Sequence, residues 1–128
     1  MPAKTTTYMK WLKRRVSQTN SRCKYRGVAG KLDAEELAMR FSRGILAPLC
    51  HWCLEEITDP RRLSLDHLKP LSAGGANVND NIVLTHRACN LLRSDWAAED
   101  WQKFVGLLRE NGFWLAFKKR YKPRRFRR

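Results

Sequence analysis

The sequence predicts a small α+β fold in which two short strands, joined by a turn-rich loop, lead into a helix, with flanking helices and basic tails. Three observations predict it. Residues 63–68 alternate apolar and polar side chains up to Pro70, and Ile82-Val83-Leu84 forms a second apolar run. Between them, Ser72 to Asn81 is dominated by Gly, Asn and Asp, which favour turns through positive φ or side-chain bonds to backbone. Two pairs with metal-ligand spacing, Cys50-x2-Cys53 and His86-x2-Cys89, bracket the whole segment.

Along the chain, residues 1–31 form a basic N-terminal arm. Asp33 is placed to cap a helix, with Glu36 completing a capping box and Leu32 in staple position. Leu37, Phe41 and Ile45 then follow helical spacing towards a stop at Gly44. After the second strand, Thr85 is positioned to cap a helix from His86 through Arg93. Asp95 is positioned to cap another, carrying Trp101, Phe104, Val105 and Leu108, with Gly112 as its stop. Phe113 to Phe117 fits either a strand or a last helical turn. Residues 118–128 form a basic C-terminal tail, so the folded domain is expected over 32–117, with its core motif at 50–93.

A length of 128 residues allows one compact domain, and 43% hydrophobic residues can supply a modest core, which argues against a wholly disordered chain. No run approaches the ~18–20 apolar residues of a membrane span, and the first residues lack a signal-peptide pattern. A soluble protein of a reducing compartment, the cytoplasm, is therefore expected. The net charge of +14 is unevenly spread: +9 over 1–31, −3 over 32–117 and +8 over 118–128. Such a layout fits tails that grip a polyanion, nucleic acid first, by neutralising phosphates without reading bases.

The paired spacing predicts a structural zinc site of Cys50, Cys53, His86 and Cys89. Its binding free energy would count as folding free energy, and a closed four-ligand site does no chemistry. Cys23 is the rival fourth ligand, in an all-cysteine set.

At about 100° per residue, His86, Cys89, Asn90 and Arg93 fall on one side of their helix. The zinc clamp would then bring Asn90 opposite the end of the first strand, where Asp66 and His67 lie. Asp66 and Asn90 offer oxygen ligands to a hard divalent ion, Mg²⁺ or Mn²⁺, while a neutral His67 can take a proton from water. On a phosphodiester, the ion would neutralise transition-state charge.

Taken together, Cys50-His51-Trp52-Cys53, Leu65-Asp66-His67 through Gly75, Asn79-Asp80-Asn81-Ile82-Val83-Leu84 and His86-Arg87-Ala88-Cys89-Asn90-Leu91-Leu92-Arg93 resemble the HNH endonuclease family, in its zinc-bearing ββα-metal subgroup. The resemblance implies that His67 is the general base and that Asn81 fixes the loop facing it through bonds to backbone. Asp66 is then the acidic metal ligand, Asn90 stands where the last histidine often stands, and Arg93 contacts a phosphate. His86 replaces the more frequent cysteine in the zinc set. The implied activity is metal-dependent hydrolysis of double-stranded DNA to 5′-phosphate and 3′-hydroxyl ends. Nicking by a monomer is the simpler default. The resemblance and small size point to a phage or mobile-element origin, with the host-cell cytoplasm as location and phage packaging proteins among the compatible partners. The competing class is a noncatalytic zinc-containing DNA- or RNA-binding protein.

Overall fold

The computed structural model describes residues 3–120. Helix α1, Ala3–Tyr25, occupies most of the segment expected as a basic arm. Its buried residues Leu12, Val16, Thr19 and Cys23 recur every three or four positions, so one stripe faces the core while Lys10, Lys13, Arg14, Arg22 and Lys24 are exposed; Arg15 is half-buried and donates to Leu63 O and Arg61 O. Gly27, at φ +73°, closes the helix: its N–H reaches Lys24 O and that of Val28 reaches Cys23 O, satisfying two terminal carbonyls.

Helix α2, Ala34–Phe41, is capped as expected by Asp33, whose side chain accepts from Glu35 N at 3.0 Å. The capping box is not made. Glu36 instead pairs with Arg40 at 2.7 Å and accepts from Asn79 Nδ2 at 2.7 Å, tying α2 to the loop before the second strand. The helix also ends before Gly44. Ile45, expected on its inner face, is 74% exposed in the tight bend after it.

Strands β1, Leu63–His67, and β2, Ile82–His86, pair antiparallel with Leu63 opposite His86 and His67 opposite Ile82. Helix α3, Arg87–Arg93, follows directly. Its N-cap is His86, without a side-chain bond, rather than Thr85; Thr85 belongs to β2 and is fully buried. Helix α4, Ala98–Glu110, begins after Ala97 rather than at Asp95, because residues 94–96 form a turn with Ser94 at φ +53° and Trp96 N bonded to Arg93 O. Gly112 ends it as expected, with Phe113 N on Leu108 O. Helix α5, Trp114–Arg120, resolves the ambiguous apolar run as helix. The remaining basic tail, residues 121–128, lies outside the described residues.

The core joins these pieces: Leu12 and Val16 of α1 and Leu37 of α2 pack with Trp52, Ile57, both strands, Leu92 and Trp101. Trp96, Trp101, Phe104, Trp114 and Phe117 stack at centroid distances of 5.3–6.2 Å, fastening α4 and α5. Among the described residues, no helix is long and apolar enough to cross a membrane.

Candidate active site and metal centre

Cys50 and Cys53 sit on a tight knuckle, closed by Leu54 N on Cys50 O and held to β2 by His51 N on Leu84 O. His86 ends β2 and Cys89 lies in the first turn of α3, so both pairs converge without long-range rearrangement. One donor atom from each of the four lies within 4.8 Å of all the others. His86 Nδ1 is 3.3 Å from Cys53 Sγ and 3.8 Å from Cys89 Sγ. Tetrahedral zinc with ordinary Zn–S and Zn–N bonds requires about 3.6 Å between sulfur and nitrogen, so the donor set fits that ion.

The outer contacts fit as well. His86 Nε2 lies 3.1 Å from Glu56 O, to which it donates when Nδ1 serves as ligand, and His86 N donates to Cys50 Sγ at 3.3 Å. Hydrogen bonding from Cys53, then Cys89, holds the Cys50 thiol far below its usual range, while hydrogen bonding to Cys50 and Cys53, then burial, pushes Cys89 up. Such a cluster of thiols is suited to a cation. Cys23 is buried on α1 and is not part of it.

Between α1, β1 and α3 lies a cleft of about 720 Å³. Its walls are α1, with Arg15, Gln18 and Arg22; the end of β1, with Ser64, Asp66 and His67; and α3, with Arg87 and Asn90. Asp66, His67 and Asn90, predicted to meet, therefore line one cavity. Burial lowers the His67 pKa below its ordinary value, favouring the neutral imidazole. His67 Nε2 is 2.9 Å from Asn77 Oδ1. Asn81 accepts from Lys69 N at 2.9 Å and donates to Lys69 O and Ala76 O, pinning the loop that follows His67. Gly75 completes that loop, since a Cβ there would overlap Lys69 O.

Asn90 donates to Ser64 Oγ at 2.9 Å and Leu65 O at 3.0 Å, which turns its nitrogen to the protein and leaves its carbonyl oxygen available. Asp66 is buried. Its Oδ2 accepts from Trp52 Nε1 at 2.7 Å and its Oδ1 from Arg93 at 2.9 Å. Burial pushes its carboxyl up, opposed by the Arg93 charge and these two bonds. A carboxylate has about four acceptor positions, so two engaged donors do not exhaust it.

Arg93 departs most from expectation. Instead of presenting its guanidinium to a phosphate, it is fully buried and donates to Asp66, His67 O, Leu68 O and Trp96 O, with Trp52's ring 5.0 Å away. It braces the β1 end from behind.

Residues 50–95 match the HNH endonuclease family. That segment is an HNH nuclease domain. Its two strands, α3 and Cys3His cluster form the zinc-bearing ββα-metal arrangement. No curated protein matches the chain. Four residues at or behind this site carry no clear mark in the sequence. Arg15 and Arg22 come from α1, whose buried stripe is the available signal. Trp52 and Asn77 lie within the matched segment and bond to Asp66 and His67. Asn77 stands among several turn-forming residues, with nothing local to mark it.

Proposed function

We propose that the chain is a metal-dependent DNA endonuclease that hydrolyses phosphodiester bonds. The observation that carries this reading is a single cleft in the HNH domain lined by a neutral imidazole, a carboxylate, an amide oxygen and the arginines of α1 and α3. His67 is the general base, accepting a proton from the attacking water, a role worth about 10²–10⁴ in rate. Asp66 and Asn90 are the oxygen ligands for one Mg²⁺ or Mn²⁺, a choice that matches hard cations retaining several waters. When bound, that ion supplies charge neutralisation at the phosphate and stabilises the leaving oxygen. Arg15, Arg22 and Arg87 attract the DNA backbone, and Asn81 keeps the loop behind His67 in place. The zinc cluster is structural, holding β2 and α3 against the knuckle. With one cleft of this composition among the described residues, a nick is the expected product.

A supercoiled-plasmid assay with Mg²⁺ or Mn²⁺ tests this reading. Native protein nicks the plasmid, and His67→Ala loses the activity while keeping its zinc. Equal cleavage by the variant, or none by folded native protein with any divalent metal, would sink it. DNA or RNA binding without cleavage would favour a noncatalytic zinc module.

A further inference from the structure

His67 is held by a chain of side-chain amides that begins on α1. Asn20 Nδ2 donates to Leu32 O at 3.1 Å, and Leu32 N donates to Asn20 Oδ1 at 2.9 Å. A backbone carbonyl can only accept and a backbone N–H can only donate, so these two bonds fix which end of the Asn20 amide is oxygen. That oxygen also accepts from Asn77 Nδ2 at 3.1 Å. The remaining end of Asn77 is therefore its carbonyl oxygen, and it faces His67 Nε2 at 2.9 Å. An amide oxygen has no proton to give, so the proton in this bond sits on Nε2.

Asn77 has no freedom to turn away. It is fully buried, so water does not compete for its amide, and Gly30 presses on its backbone closely enough that a Cβ there would overlap Asn77 O. Nδ1 of His67 makes no hydrogen bond to the described residues. We propose that Asn77, oriented by Asn20, is a positioning residue that locks His67 as the Nε2–H tautomer and presents Nδ1 as its proton-accepting atom. The catalytic meaning of this relay rests on the nuclease reading above; the tautomer itself does not. The arrangement also gives α1 a chemical task, because the orientation of the cleft imidazole is set from a residue 47 positions earlier in the chain.

Long-range proton–nitrogen correlation spectra of zinc-loaded protein, at about pH 9 where imidazoles are neutral, read the tautomer directly. Comparison with His67→Ala assigns the signal. The native ring is expected to show a protonated Nε2 and a lone-pair Nδ1. Asn77→Ala should give a mixture of tautomers, and Asn20→Ala, which frees the Asn77 amide to turn, should do the same. In the plasmid assay, kcat should fall about tenfold in Asn77→Ala at little-changed KM, and in the same direction in Asn20→Ala. A native His67 protonated on Nδ1, or an unchanged spectrum in folded Asn77→Ala, overturns the proposal. The expected spectra from a protein that cleaves nothing would uphold the relay and remove only its catalytic use. If Asn77→Ala fails to fold, the native and Asn20→Ala spectra still decide the matter, a single native tautomer in folded Asn20→Ala overturning the proposal.

Discussion

In the zinc cluster, three cysteines are fully buried and their donor atoms converge with that of His86; in the cleft, His67 and Asn90 are half-exposed and each keeps an acceptor atom that accepts no hydrogen bond from the described residues. The cluster is built on the Cys50–Cys53 knuckle, the end of β2 and α3, and the cleft on α1, β1 and α3, so the two sites share α3. The difference lies in what is left over. A cluster that uses every donor internally contributes to folding, whereas a cleft must stay partly unsatisfied to hold water, an ion and a phosphate. Trp52 and Arg93 join the two. The indole comes from the knuckle between Cys50 and Cys53, and the guanidinium from the turn after Cys89; both donate to Asp66.

The largest effect should come from breaking the cluster. Structural zinc in small domains contributes apparent binding free energies of about 10–16 kcal/mol at neutral pH, comparable with the whole of such a chain's stability. Chelation, or Cys89→Ser, is expected to abolish the cooperative melting transition and the cleavage activity together. Retention of a sharp melt after zinc removal would show that the cleft does not depend on the cluster.

Arg93 comes next. Arg93→Met leaves Asp66 buried without its cation, and loss of one partner from a buried pair costs about 3–5 kcal/mol. Adding Asp66→Asn should restore part of that loss by removing the stranded charge. Urea denaturation of the zinc-loaded proteins measures both, with zinc content expected to stay at the native level.

These two predictions also separate what sequence makes visible from what it hides. The cluster was legible because its information is local: two residues between each ligand pair, one knuckle and one helical turn. The first strand was legible through alternation and the second through its apolar run, and the placing of His67 and Asn90 in one cleft through their positions at a strand end and on the zinc-bearing face of a helix. Arg93 was misread because an arginine's charge argues for exposure, and only the fold shows that Asp66 and three carbonyls converge on it. The α1 wall was hidden because its buried stripe uses Thr19 and Cys23 beside many cations, so charge drew attention from periodicity. The five residues at 113–117 were too few to distinguish one period from another.

A smaller loss sharpens how the two sites communicate. Trp52→Phe keeps the ring packing but removes the indole N–H from Asp66. A hydrogen bond to a charged group contributes about 1.5–3 kcal/mol, so stability should fall by that order with zinc retained. The bond lowers the Asp66 pKa, and its removal raises it further above the unfolded value. The variant's deficit should therefore be full where Asp66 is ionised and shrink as pH falls through its folded pKa. A deficit independent of pH would assign the loss to packing instead.

The smallest expected effect concerns the cleft's rim. Arg22 is exposed on α1 beside His67, and its charge acts on that imidazole. Arg22→Ala removes no core contact, so melting temperature and zinc content should match the native protein. If Arg22 meets a DNA phosphate, its loss releases about one fewer counterion on binding, and the slope of log affinity against log salt should become shallower by about 0.9. The effect should be uniform across DNA sequences, because a phosphate contact carries no base information. Fluorescence anisotropy across a salt series measures it. An unchanged slope would move DNA attraction away from α1's exposed face and towards the other arginines of the cleft, while leaving the metal cluster's role untouched.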